Sequence, residues 1–429
     1  MQNLRIVSPK RDRRIQNGWE AFFPYYAGYP EVFVDELLSS ADLRQSSVVL
    51  DPWNGSGTTT LAAARKGHRS IGYDINPVMI VIARARLLPK SEADSLEPIL
   101  QQVLEGCEPQ LEVPSNDPLN KWFHDETTAA IRALERSICE RLVGRLTLNH
   151  SGVNLEYLSS IAAAFYVALF AVGRKLVSSF RSTNPTWIRV AKVDEDRVHV
   201  DGSNVRELFR DQIVAMTLEL LHPSHNREID FAAVELATVD SQNCNVEEEA
   251  IDLVVTSPPY CTRIDYTAAT RVELAILKPL CSIDDRQLSR QMIGSTRVPV
   301  DEIEKKEEWG KTCLSFLDKV KAHPSKASSG YYLKTHLDYF EKMAASLKSI
   351  RQSLKIGGKA ILVVQDSFYK DVHNDLPAIL SEMAGPSNLH LKRREDFNVR
   401  RTMSGMNVSS KNYNRKPGAV EAVLCFEAV

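Results

Sequence analysis

The sequence has no Cys-x-x-Cys pair, and its seven cysteines, at 107, 139, 244, 261, 281, 313 and 425, accompany no histidine cluster at zinc spacing. That argues against a zinc module, gives no metal site to expect, and fits reduced thiols in a cytoplasm. No stretch approaches about 20 uninterrupted apolar residues. The segment from Met1 to Arg14 lacks the apolar run of a signal peptide. A soluble, intracellular chain is the expectation. An excess of one charge is missing too: 53 Lys and Arg against 55 Asp and Glu leave a formal net charge of -2. This excludes the globally basic profile of many small DNA-binding modules but leaves room for a local basic face. There is no internal repeat and no low-complexity tract beyond short charged patches.

What remains is a chain of 429 residues with 43% hydrophobic content, ample for a large core and long for one compact unit. Ser46–Asp51 predicts a buried strand, and 56–66 a helix ended by Gly67. Arg69–Asp74 predicts a second strand, and Pro77 suits the first turn of a helix reaching Leu88. This βαβα order implies a parallel sheet with right-handed crossovers. From about Lys90 to Arg227 the alternation stops and the composition is helical, which predicts an inserted domain over 91–227. Strands resume at Ala233–Asp240 and Ala250–Thr256, both rich in β-branched residues. The charged, breaker-rich stretch 283–330 is expected to be a looser second insertion. A long helix over 334–354, a turn at Gly357-Gly358, a strand over 359–364 and a last strand near 419–426 complete an α/β, Rossmann-like sheet. The core domain is therefore expected from 1–90 and 228–429.

In such a sheet, ligands bind at the carboxyl ends of the strands, where Asp51-Pro-Trp-Asn-Gly-Ser-Gly-Thr58 is the first loop. Gly55 and Gly57 permit a sharp turn and a close ligand approach. Asp74 closes the next strand, roughly 20 residues on, where a carboxylate can accept from both hydroxyls of a ribose. The loop is not Gly-x-Gly-x-x-Gly, has no phosphate-binding Lys, and begins with an acid that repels pyrophosphate. A cationic nucleoside cofactor, S-adenosylmethionine with its sulfonium and ammonium, suits it better. Trp53, Asn54, Ser56, Thr58 and Ile75 complete the candidate cofactor contacts. Asp240, ending the third strand, is either an acceptor for an adenine amino group or a solvated turn residue.

Thr256-Ser-Pro-Pro-Tyr260 ends the fourth strand, expected next to the first. An exocyclic amino nitrogen is a poor nucleophile because its lone pair is delocalised into the ring. Acceptors for its two hydrogens pull it toward tetrahedral geometry and localise that pair. The Ser257 hydroxyl and the Pro258 carbonyl are suitable acceptors, Pro259 helps to stiffen the backbone, and Tyr260 offers a face for an extruded base. Alone, the tetrapeptide could be a rigid turn. Its place after a buried strand, together with Asp51 and Asp74, favours chemistry.

Motif by motif, the sequence resembles the S-adenosylmethionine-dependent amino-methyltransferases of DNA, which make N4-methylcytosine or N6-methyladenine. The resemblance assigns Asp51-Pro-x-x-Gly-Ser-Gly-Thr58 to the cofactor motif, Asp74 to the ribose, Asp240 to the adenine and Ser257-Pro-Pro-Tyr260 to catalysis. Phe22–Pro30, with Tyr25, resembles the family's additional cofactor-side motif, or else is an aromatic packing segment. The resemblance covers roughly 20–90 and 228–429. It does not cover the helical stretch 91–227, a possible target-recognition region whose position between the second and third strands resembles neither the central nor the C-terminal placement of that region in the family's subclasses. Ser at the first catalytic position is more like the cytosine-N4 enzymes. Cys261 is a bystander, since direct transfer to nitrogen needs no covalent intermediate. Arg263, Asp265 and Tyr266 could line the pocket, although Asp265 equally suits a helix start.

For nucleic acid, the mixed basic and aromatic stretch from Gly173-Arg-Lys175 to Arg189 is one candidate. The more basic run Lys392-Arg-Arg394 through Arg400, Arg401 and Lys411 is another, read as a flexible strand-tracking loop. Duplex DNA with base flipping and a restriction or defence partner is the leading expectation. RNA as substrate and a non-catalytic binding subunit are the alternatives.

Overall fold

A computed structural model describes residues 3–10, 28–107, 113–144, 148–149, 152–153, 155–181, 188–222, 233–262, 266–281, 284–297, 302–399 and 419–429. The central sheet is seven-stranded. Its strands are β1 Val48–Asp51, β2 Arg69–Tyr73, β3 Val234–Ala237, β4 Ile251–Thr256, β5 Leu354–Gln365, β6 Leu389–Val399 and β7 Ala419–Ala428. In space they run β6-β7-β5-β4-β1-β2-β3. The first five pair in parallel, and β7 is antiparallel to both β5 and β6. The chain winds one way from β1 to β2 and β3, and the other way through β4 and β5. The gap between β1 and β4 is thus the topological switch point, where open α/β sheets place their ligands.

Alternation along the strands decides what covers each face. Val49, Leu253, Val255, Ile361, Val363 and Val423 point to one side. There they meet Phe33, Val34, Leu37 and Leu38 of α1 (Glu31–Ser40) and Ala62 and Ala63 of α2 (Thr58–Arg65). Leu50, Val254, Leu362, Val364, Leu424 and Phe426 point to the other. A sheet buried on both faces has to be apolar at nearly every position, which the β4 run Ile-Asp-Leu-Val-Val-Thr shows.

The helices after β2 are α3 Pro77–Ala85, α4 Ala93–Glu105, α5 Asp125–Leu142, α6 Ser160–Leu176 and α7 Gly202–Leu221. Among the described residues of 91–227, the stretch expected as an inserted domain, the buried apolar side chains share a core with the sheet. Phe165, Leu169 and Phe170 of α6 share one cluster with Val78, Val81 and Ile82 of α3 and with Val234 and Leu236 of β3. The reason is that α6 is apolar all round, so it needs neighbours on every side.

Past β4 come α8 Arg271–Leu277, α9 Asp285–Gln291, α10 Lys311–Ala322, α11 Leu333–Ser353 and α12 Leu376–Ala384. Within 283–330, expected to be a looser insertion, the described residues 302–330 are packed. Trp309, Cys313, Phe316, Leu317 and Val320 are buried against α11 and α12 in the second core, so the charged residues around them are the solvent side of a packed segment. The sequence 389–399 is likewise strand β6 where a flexible basic run was expected. Along β6, Arg393 pairs with Glu395 and Arg394 with Asp396, each two residues apart and so on one face, while Lys392 pairs with Glu427 of β7. Alternating ion pairs let a highly charged sequence form an edge strand without inviting another chain.

Candidate active site

The carboxyl ends of β1 and β4 carry Asp51 and Thr256, and they are tied directly: the Thr256 hydroxyl donates to Asp51 Oδ1 at 2.5 Å. Parallel pairing of Val49 with Leu253 and Leu50 with Val254 brings the two strand ends level. The other carboxylate oxygen of Asp51 accepts from the Tyr29 hydroxyl at 3.3 Å, and the Trp53 amide donates to Oδ1 at 3.1 Å. Tyr29 also lies 2.6 Å from Thr59 Oγ1 and 3.2 Å from the Val255 carbonyl. Tyr29, just before α1, is thereby tied to both strand ends. Tyr25 of that segment lies outside the described residues.

After Asp51 the loop is held by Asn54, whose amide donates to the Tyr73 carbonyl at 2.8 Å, and by a bond of 2.8 Å from the Gly57 amide to the Asn54 carbonyl. Gly55 and Gly57 adopt φ of 50° and 82°, the left-handed region that side chains resist. Gly57 has a second reason to be glycine: an added Cβ would stand 2.8 Å from Ala83 Cβ of α3. Arg86, buried behind the loop, donates to the Ser56 carbonyl at 2.8 Å and to Thr58 Oγ1 at 3.3 Å.

Asp74 follows β2 and accepts from the Gly55 amide at 3.0 Å and the Asn76 amide at 2.8 Å. The same Asn76 caps α3 and donates to Thr270 Oγ1 at 2.9 Å, joining the glycine-loop side to the segment that follows the proline motif. Burial raises the Asp51 carboxyl to about 6 and the Asp74 carboxyl to about 7, in both cases against hydrogen bonds that pull the other way. Trp53 and Ile75 are half-buried beside them. Asp240 accepts from the Gln242 amide at 3.0 Å and from its side chain at 2.9 Å, closing a short turn after β3. Two desolvated carboxylates stand beside a glycine cradle, with Arg86 engaged by the loop from behind. This donor set fits a cationic nucleoside such as S-adenosylmethionine.

The motif after β4 is held from three directions. Ser257 donates its hydroxyl to the Val363 carbonyl of β5 at 3.2 Å. The Tyr339 hydroxyl of α11 donates to the Pro259 carbonyl at 2.7 Å, and Tyr260 donates to Glu421 Oε1 of β7 at 3.0 Å. Burial pushes the Tyr260, Tyr339 and Glu421 groups up from their ordinary values. Cys261 is buried, its sulfur 3.3 Å from His336 Nδ1 and its carbonyl accepting from Ser367 Oγ at 3.0 Å. This packing gives it no exposed nucleophilic role.

Sequence reading missed Tyr29, Thr59, Arg86, Asn76, Tyr339 and Glu421. Tyr29 sits in the quoted aromatic segment, and Thr59 and Asn76 stand next to the quoted Thr58 and Ile75, whereas Arg86, Tyr339 and Glu421 reach the site from stretches with no motif of their own. Of the nucleic-acid candidates, Arg263, Arg400, Arg401 and Lys411 lie outside the described residues. Arg174 is not a solvated phosphate contact: it is ion-paired with buried Glu273 of α8 and donates to the Ala269 carbonyl. Among the described residues no group of three or more His, Cys, Asp and Glu could hold a metal, and no helix is long and apolar enough to cross a membrane.

Comparison with known proteins adds sequence evidence. Residues 3–85 match a family model described as DNA methylase. The chain is 19% identical to the Type II methyltransferase M.BsoBI of Geobacillus stearothermophilus, over 86% of this chain and 72% of that one. It is 23% identical to the Type II methyltransferase M.MvaI of Kocuria varians, over 63% and 61%. To the Type II methyltransferase M.AvaI of Anabaena variabilis it is 21% identical, over 85% and 77%.

Proposed function

We propose that the chain is an S-adenosylmethionine-dependent DNA amino-methyltransferase, similar to the DNA methylase model over residues 3–85 and to the Type II methyltransferases, and that it methylates N4 of cytosine at a specific site in duplex DNA. The observation that carries the reading is the hydrogen bond from Thr256 to Asp51, which joins the glycine loop and the Ser-Pro-Pro-Tyr motif at the switch point of the sheet. Asp51, Trp53 to Thr58, Asp74 and Ile75 would hold the cofactor, with Asp240 toward its adenine. When bound, the cofactor supplies an electrophilic methyl group.

The protein's own part is to make an amino nitrogen nucleophilic. The Ser257 proton is committed to the Val363 carbonyl, so the oxygen turns its lone pairs to an incoming N–H. Of the two proline carbonyls, that of Pro259 is engaged by Tyr339, which leaves Pro258 to take the second N–H. Two acceptors on one amino group localise its lone pair. The Tyr260 ring provides a stacking face for the flipped base. Cytosine is favoured over adenine because Ser257 resembles the cytosine-N4 enzymes at that position. A companion endonuclease is the proposed partner, on the strength of the Type II relatives.

Expressing the chain in a host without DNA methylation and reading that DNA with a kinetic single-molecule sequencer is the test. N4-methylcytosine at one recurring sequence, absent with Tyr260→Ala, is expected. N6-methyladenine would overturn the base assignment, while unmodified DNA together with methylated RNA would overturn the substrate.

A further inference from the structure

We propose that Tyr339 and Glu421 are positioning residues that set the Ser-Pro-Pro-Tyr motif from opposite sides; this rests on the functional reading above. Neither touches the reacting atoms. Each instead fixes one degree of freedom that the prolines leave open. Consecutive prolines hold φ but not the tilt of each carbonyl, and two carbonyls compete to face an incoming amino group. The Tyr339 hydroxyl, 2.7 Å from the Pro259 oxygen, engages one of them. Tyr339 is 1% exposed and packs edge-on against Phe340 at 5.3 Å between ring centres, so its hydroxyl cannot swing away.

Glu421 does for the Tyr260 ring what Tyr339 does for the backbone. A tyrosine at the mouth of a site can rotate about χ1 and χ2, and a stacking face is useful only when it is held still. The hydroxyl bond of 3.0 Å to Glu421 Oε1 fixes the far end of the ring. Glu421 is itself fixed, because its strand pairs residue for residue with β5 and Glu421 stands opposite Gln365. β5 also supplies the Val363 carbonyl that receives Ser257. The serine, the proline carbonyl and the ring are therefore referred to one rigid frame of α11, β5 and β7.

The test uses the full chain and a duplex carrying the site mapped by sequencing. Single-turnover methyl transfer, the KM for duplex and the Kd for S-adenosylmethionine are measured for Tyr339→Phe, Glu421→Ala, Glu421→Gln and Tyr260→Phe. A positioning role predicts that Tyr339→Phe and Glu421→Ala lower the transfer rate by about 10–100-fold while both binding constants stay within about threefold. Glu421→Gln, which keeps an acceptor, should restore the rate to within about threefold. Tyr260→Phe removes the same bond from the other side and keeps the ring. It should match Glu421→Ala, and the double variant should be no slower than either single one. Rates unchanged in Tyr339→Phe and Glu421→Ala, or Glu421→Gln as slow as Glu421→Ala, would overturn the assignment while leaving the enzyme's activity established. A parent chain that methylates no DNA would overturn the functional reading and this assignment with it.

Discussion

At the scale of single residues, the site depends on a few side chains whose surroundings oppose their ordinary chemistry. Asp74 and Asp51 are carboxylates raised to about 7 and about 6 by burial. Each is kept in reach of ionisation by hydrogen bonds to main-chain amides or hydroxyls. Asp74→Ala removes an acceptor and unsettles the Gly55 and Asn76 amides. It should weaken S-adenosylmethionine binding by about 1.5–3 kcal/mol, or roughly 10–100-fold, in isothermal titration calorimetry. Gly57→Ala tests the other kind of residue. At φ of 82°, with Ala83 Cβ 2.8 Å from the new methyl group, it should cost about 2–4 kcal/mol. Urea unfolding would show this as a lower midpoint with an unchanged slope. An unaltered midpoint would mean that α2 and α3 can move apart freely.

Elements matter where one side chain locks two of them. Arg132 of α5 is nearly buried and donates to Asp117 at 2.7 Å, to the Ala275 carbonyl at 2.7 Å and to the Ile276 carbonyl at 2.9 Å, at the end of α8. It donates to carbonyls in the last turn of α8 and ties the helical layer to the segment following the Ser-Pro-Pro-Tyr motif. Arg132→Met should destabilise the chain by about 3–5 kcal/mol, because Asp117 would be left buried without its cation. The added substitution Asp117→Leu should recover much of that loss in the same unfolding assay. Failure to recover would put the cost on the α8 carbonyls alone. At this scale the sequence was readable where a helix or strand has one apolar pattern and a terminator, as in α2 before Gly67. It was unreadable in β6, where Leu-His-Leu-Lys-Arg-Arg-Glu-Asp has a charge pattern that makes sense only against β7 and within its own face.

For the molecule as a whole, the two raised carboxyl groups couple protons to stability and to the ligand. A folded-state value above the unfolded one means that the native protein holds its proton more tightly. The associated stability is therefore full below the ordinary value near 3.8 and is lost as pH rises through about 6 to 7. The unliganded chain should accordingly lose stability between about pH 4 and 7 from these two groups, as thermal melts across that range would record. A cationic cofactor favours their ionised forms, so its binding should strengthen over the same window and release protons. Calorimetry at pH 6 in buffers of different ionisation enthalpy measures that release directly. Proton uptake, or none, would remove Asp51 and Asp74 from the cofactor site.

Sequence alone made the two motifs and their places at strand ends legible, since a strand followed by Asp51-Pro-x-x-Gly-Ser-Gly-Thr58 and another followed by Ser257-Pro-Pro-Tyr260 are local patterns read from adjacent residues. It also determined that the sheet is parallel at its centre, through the alternation of β-branched runs with amphipathic helices. Tertiary structure alone decided how those motifs are held. Tyr29, Asn76, Tyr339 and Glu421 stand 22 to 194 residues from the partners they bind, and Tyr339 and Glu421 lie on elements whose own sequences give no sign of the site. A hydrogen bond across such a separation depends on the order of strands in the sheet and the face each helix buries. Those are consequences of packing the whole chain, and no local pattern encodes them.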